Sequence, residues 1–199
     1  MPWKIAALAG VLLGLCVAAL VFTMRDGGEA SQPALEVTSP QTQAPGGKAF
    51  FTFPADEAAP FKAAFRDGKG AEVTLDSFKG RPVLINFWAT WCAPCVNELP
   101  SLARLHDKLG DQGPLILILN LDRENGPSIP DFLAEHDVTG LEPYTDPAKK
   151  LMRGFRINGL PTTILLDAEG KEIARREGEA EWDGDLARAE IDKALASAK

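Results

Sequence analysis

The run Pro82-Val-Leu-Ile-Asn-Phe-Trp88, closing three residues later on Trp91-Cys92-Ala93-Pro94-Cys95, constrains this chain more than any other stretch. A nearly continuous apolar segment of that length reads as a central strand covered on both faces of a sheet. The two thiols then fall at a strand-to-helix junction, where a sulfur can be ionised and still meet another polypeptide. The chain has 3 cysteines in all, and the third, Cys16, sits in an apolar N-terminal segment. Two close thiols in a chain otherwise poor in them point to redox chemistry rather than a disulfide scaffold. A zinc half-site is the bland alternative. It lacks a second pair, and His106 and His136 have no ligand-like spacing with the cysteines.

The balance of charge narrows the partners. With 45% hydrophobic and 25% charged residues the chain can build an ordinary core. Its formal net charge of -7, with nothing resembling a basic patch, argues against nucleic acid.

Ile5 to Phe22 carries no charge. That length approaches the roughly 20 residues that cross a bilayer and exceeds the roughly 7–15 of a cleavable signal core. Residues 1–25 are therefore predicted to be an N-terminal transmembrane signal anchor, with Trp3 at the interface and Lys4 favouring an inside N-terminus. A cleaved signal peptide is the first alternative and a buried soluble helix the second, and the anchor or the signal peptide would send the remaining chain across the membrane. Leu15 is too bulky for a lipid-modification site, so Cys16 reads as a small apolar filler. Residues 26–48, rich in Gly, Pro, Gln, Ser and Ala without apolar periodicity, read as a flexible linker. Its random-coil span is roughly 25 Å.

Residues 49–199 alternate strands with helices. The spacing predicts strands at Glu72–Leu75, Pro82–Trp88 and Leu115–Leu119, and a hairpin of Thr162–Leu166 with Glu172–Arg175 across Asp167–Gly170. Helices are predicted at Pro94–Leu109 with a stripe of Val96, Leu99, Leu102, Leu105 and Leu109, and a kink at Pro100. Further helices are predicted at Ser128–His136 with Ser128 as N-cap, at Pro147–Phe155 and at Asp183–Ala198. This order gives an α/β fold, a central mixed β-sheet flanked by helices.

Only a thiolate attacks a disulfide, so the first cysteine needs a lowered pKa. At the N-terminus of the following helix, Cys92 faces unpaired backbone N–H groups and the positive end of the dipole. Cys95 lies one turn inward, within reach for a disulfide and partly shielded. Pro94 fits the first turn, where its missing donor costs nothing. Trp88 reads as core and His106 as exposed, and Glu177–Glu181 as a solvated loop.

FWATWCAPC, followed by Glu98-Leu99-Pro100 and later by Gly159-Leu160-Pro161-Thr162-Thr163, resembles the membrane-anchored thioredoxin-like proteins of the TlpA/ResA/CcmG (DsbE) group. The likeness covers roughly residues 50–197, and its wording is most similar to TlpA. It implies a thioredoxin-like fold and an extracytoplasmic thiol:disulfide oxidoreductase, a protein-disulfide reductase. The implied catalytic residues are Cys92, Cys95 and Glu98. Glu98 matches a proton acceptor for the second cysteine, and a solvated early-helix glutamate is its alternative. Trp91, Pro94, Leu160 and Pro161 are the implied client-binding residues, with Pro161 matching the family's cis-proline. Asn86 departs from the buried aspartate of ordinary thioredoxins, and an amide cannot take up a proton.

No metal and no cofactor beyond a redox-active Cys92–Cys95 disulfide is implied. The clients are proteins with cysteine pairs, copper-centre or haem-binding, and the electron donor is a membrane protein of the DsbD/CcdA type. The implied location is the bacterial inner membrane, single-pass, with the catalytic domain in the periplasm. Reduction of apocytochrome c and a Cu(I)-binding chaperone are the competing functions.

Overall fold

The apolar run does form an interior strand of a sheet. The computed structural model describes residues 50–52 and 62–198, which belong to one unit, Gly47–Lys199. Its strands are β1 (Phe65–Arg66), β2 (Glu72–Val73), β3 (Val83–Trp88), β4 (Leu115–Asn120), β5 (Pro143–Thr145), β6 (Thr162–Leu166) and β7 (Glu172–Glu177). Its helices are α1 (Ala93–Leu109), α2 (Ile129–Glu135), α3 (Lys150–Gly154) and α4 (Asp185–Ser197). The sheet order is β2-β1-β5-β4-β3-β6-β7. β3, β4 and β5 run parallel, and β6, β7, β1 and β2 join antiparallel, so the sheet is mixed as expected.

Every residue of β3 is buried, because its alternate side chains feed two different cores. Leu84 and Trp88 join Ile116, Ile118, Leu165 and residues of α1, α2 and α4 on one face. Val83, Ile85 and Phe87 join Leu117, Leu119, Ile164 and residues such as Leu151 and Phe155 on the other. A strand buried on both sides has no polar face to show, which is why the sequence lacks strand alternation there.

Several boundaries shift for local reasons. The strand expected at Glu72–Leu75 ends at Val73, and Leu75–Phe78 turns into a short 3-10 helix that buries Leu75. The helix expected from Pro147 spans only Lys150–Gly154. Asp146, ahead of it, accepts hydrogen bonds from the N–H groups of Lys150 and Leu151, both at 2.8 Å. Ser128 occupies the N-cap position of α2, but its side chain makes no capping bond. Helix α1 runs through Pro100 from Ala93 to Leu109. Within its stripe Val96 is only half-buried, while Glu98 and Ser101 are buried. The hairpin turn forms as expected, with Gly170 at φ 85° and Asp167 Oδ1 accepting from the N–H groups of Glu169 and Lys171. Strands β1 and β5, of two and three residues, are too short to leave a periodic signal.

Among the described residues no helix is long and apolar enough to cross a membrane. The predicted anchor of residues 1–25, Cys16 within it, and the predicted linker of residues 26–48 lie outside the described residues.

Candidate redox site

The site forms where β3 ends and α1 begins. Cys92 is the N-cap of α1, with φ -95° and ψ 92°. Its carbonyl accepts the first bond of the helix from Val96 N–H at 3.1 Å. Its own N–H donates back to the Ala89 carbonyl at 3.1 Å, closing the tight turn out of the strand. Pro94 lies in the first turn, where no intrahelical donor is required. Cys92 and Cys95 are joined in a disulfide, with an S–S distance of 2.02 Å and Cα atoms 5.2 Å apart.

The two sulfurs differ in access in the expected sense, but less than expected. Cys95 is 0% exposed and Cys92 6%. Cys92 was expected to stand open to another polypeptide. In this disulfide-bonded state it is nearly covered, and its side chain belongs to the apolar cluster beneath α1. The surface around it is open: Trp91 is 69% exposed, and Ala93 and Pro94 are exposed too. Trp88, by contrast, is core, as predicted.

The second wall is the start of β6. The Leu160–Pro161 peptide bond is cis. β6 pairs antiparallel with β3, Thr162 facing Phe87 and Thr163 facing Asn86. One further step along this register brings Pro161 level with Trp88, at the end of β3 that leads to the cysteines. Pro161 is buried, and its carbonyl accepts from Gly178 N–H at 2.9 Å. Leu160 is half-buried and packs against both core clusters.

Glu98 is 2% exposed, so the solvated glutamate is excluded. It shares a helix face with Cys95, and that face is turned to the core. Its Oε1 accepts from Asn86 Nδ2 at 2.6 Å, and its Oε2 accepts from Ala180 N–H at 2.9 Å. Burial pushes its pKa up to about 7, outweighing the lowering by the Ala180 N–H, Asn86 and the neighbouring Trp182 indole. The Trp182 Nε1 itself makes no well-formed hydrogen bond. The Glu179 charge adds a small push upward. A carboxyl group with a pKa near neutrality can both accept and return a proton at physiological pH. Asn86, which cannot take up a proton, is instead the donor that holds Glu98. It also donates to Thr163 Oγ1 at 2.9 Å, tying β3, α1 and β6 together.

Two further groups shape the site and were not anticipated. Asp122, just past β4, accepts at Oδ2 from Thr90 N–H at 3.2 Å and from Asn120 Nδ2 at 3.1 Å. Its own N–H donates to Asn120 Oδ1 at 2.9 Å. This reciprocal clamp fixes the chain two residues before Cys92. The only sequence signal for it is a carboxylate two residues beyond a buried strand.

The second group is the connection between β7 and α4. Its glutamates are exposed, as read from the sequence, yet Ala180 N–H reaches Glu98 and Trp182 N–H donates to Ser101 Oγ at 3.0 Å. Arg104 pairs with Asp183 and Glu181, both at 2.9 Å, and Lys108 pairs with Asp183 at 3.3 Å. The loop is thus fastened along α1 over the buried carboxyl group. His106, expected to be exposed, is half-buried.

Comparison with known proteins agrees with this geometry. The chain is 33% identical over 113 residues to the thiol-disulfide oxidoreductase ResA of Bacillus thuringiensis subsp. konkukian, covering 57% of this chain and 64% of the relative. The match therefore spans a little under two thirds of that relative's length. Among solved structures, one assigned as the thiol:disulfide interchange protein DsbE of Chlorobium tepidum superposes with a TM-score of 0.62 at 28% identity. It covers 72% of this chain and 99% of that one. The thioredoxin domain of a Bacteroides vulgatus thiol-disulfide oxidoreductase does so with a TM-score of 0.60 at 27% identity, covering 72% and 99%. The fold is thioredoxin-like, and since the AhpC/TSA family model matches residues 54–174, more than half of the chain, this protein belongs to the AhpC/TSA family.

Proposed function

We propose that the protein is a membrane-tethered, extracytoplasmic thiol:disulfide oxidoreductase that reduces disulfides of client proteins. The observation that carries this is the Cys92–Cys95 disulfide at the tip of α1, with Glu98 buried on the same helix face. In the reduced protein, the helix N-terminus stabilises the Cys92 thiolate. The thiolate attacks one sulfur of a client disulfide, forming a mixed disulfide and releasing the other client sulfur as a thiolate, which takes up a proton. Cys95 gives its proton to Glu98 and attacks Cys92 Sγ, expelling the second client sulfur as a thiolate, which takes up a proton as Glu98 releases the one it accepted. The client gains two electrons and two protons, and the protein is left with the Cys92–Cys95 bond seen in the structure. Trp91, Pro94, Leu160 and Pro161 line the approach to Cys92 and hold the client chain there. Asn86 and the Ala180 N–H position Glu98.

Recharging requires a dithiol donor, and a membrane protein of the DsbD/CcdA type meets that need. On the similarity of TWCAPC to TlpA, the clients are cysteine pairs of copper-centre proteins in cytochrome oxidase assembly. The named relatives, ResA and DsbE, support the thiol:disulfide exchange chemistry, not its direction or that finer assignment. The haem-binding cysteines of apocytochrome c are the alternative client, and Cu(I) carriage the alternative class.

Cys95→Ser removes the resolving thiol, so clients should accumulate on Cys92 as covalent complexes that mass spectrometry identifies. Absence of trapped protein defeats the proposed order of attack. Equilibration with glutathione should place the potential toward the reducing end of the roughly -270 to -120 mV spanned by dithiol catalysts. A value at the oxidising end makes the protein an oxidase. Stoichiometric copper in purified protein would favour the chaperone.

A further inference from the structure

Beside the exposed Trp91 the surface opens into a cavity of about 590 Å³. Thr90 and Trp91 form one side, and the connection from Leu121 to Pro127 and Lys149 supply the rest. Its charges are unevenly matched. Three ionisable residues line it, Asp122, Arg123 and Lys149. Asp122 is buried, its Oδ2 accepting from two neutral donors, Thr90 N–H and Asn120 Nδ2, while its Oδ1 has no partner among the described residues. Glu124, next in sequence to Arg123, is turned away to Arg66 on β1 at 3.2 Å. Arg123 is exposed, Lys149 is half-buried, and neither is in an ion pair with a described residue. The cavity therefore sets two cations against one buried carboxylate, a net positive charge beside the redox turn, in a protein whose net charge is -7.

We propose that this cavity is a client subsite, which takes acidic side chains close in sequence to the client's reacting cysteine. The assignment rests on the reductase reading above. A cavity of this size has room for more than one side chain. The exposed Trp91 indole offers the flat apolar surface on which interfaces concentrate their contact energy. Once a client cysteine approaches Cys92, its neighbouring residues reach Arg123 and Lys149 at high effective concentration, so individually weak ion pairs bias the encounter. Selection is local, because the protein as a whole repels an acidic partner.

The test uses the full chain, reduced, with three disulfide peptides differing only in two flanking residues: Glu, Gln or Lys. The readout is the ratio of second-order reduction rates, so a general loss of activity cancels. At low salt the Glu peptide should react about tenfold faster than the Lys peptide, about threefold arising from each cation. The ratio should fall towards one at about 1 M salt, where the screening length is about 3 Å. Arg123→Glu and Lys149→Glu should each reduce the ratio, and together invert it. Equal rates for the three peptides, or a preference that survives the double variant, overturn the subsite alone. If no peptide is reduced, both the reductase reading and the subsite fail.

Discussion

A carboxyl group buried between α1 and the β7–α4 connection, with an amide and one backbone N–H as partners, is costly to ionise. Burial leaves Glu98 with a pKa of about 7. Its folded pKa lies above its unfolded value, so the proton stabilises the native state. Stability should therefore fall as pH rises from about 4.5 to about 7 and then level off. The full difference is about 3 kcal/mol at 1.36 kcal/mol per unit. Denaturant unfolding at a series of pH values should show this slope in the native protein and not in Glu98→Gln. An identical slope in both would show that Glu98 is not the titrating group. Asp122 is a separate case, a positioning residue for the turn before Cys92. Asp122→Ala leaves Thr90 N–H without its acceptor and should cost about 1–3 kcal/mol. It should also raise the Cys92 pKa, read by thiolate absorbance, as the N-cap geometry loosens. Asp122→Asn, which keeps an acceptor, should restore most of both, and failure to do so removes the positioning role. Cys92, Cys95 and the i+3 spacing of Glu98 are legible in the sequence because they lie on one short segment. Asn86 shows only as a polar residue in an apolar run, and its partners on α1 and β6 come from the packing.

At the level of elements, α1 does two jobs on two faces. One carries Cys95, Glu98, Leu99 and Leu102 into the core. The other carries Arg104 and Lys108 to Asp183, whose carboxyl group the Arg104 guanidinium and Lys108 hold well below the usual carboxylate range. A lowered carboxyl pKa stabilises the fold above the ordinary value near 4, and the gain is lost as pH falls below it. Asp183→Asn should accordingly lower the urea midpoint slightly at pH 7, less at high salt, with the difference shrinking below about pH 4. If these pairs also keep water from Glu98, the same substitution should move the Glu98 titration towards the ordinary carboxylate range, measured by side-chain NMR. An unmoved midpoint would mean that Ser101 and Ala180 suffice to hold the loop. The helices and the hairpin were readable from periodicity and turn residues, since 3.6-residue and two-residue spacings are local properties. The loop after β7 was not. Its charges look solvated in sequence, while its function lies in backbone N–H groups that carry no residue signature.

For the molecule as a whole, β3 divides two cores, and the site sits where that strand runs out. If residues 1–48 tether the domain to a membrane, deleting them should leave reduction of a soluble model disulfide unchanged. Reduction of a membrane-attached client should slow, because the leash raises local concentration. Equal rates for both substrates with and without the segment would remove the tether from the mechanism. The α/β alternation, the buried interior strand and the redox pair could be read from residue order alone, because each depends on neighbours within about one element. Sheet order, the pairing of β6 beside β3, the near-closure of Cys92 in the oxidised state and the raised pKa of Glu98 could not. Those come from residues dozens of positions apart being brought together in a low-dielectric interior, where desolvation and the few available donors set the chemistry.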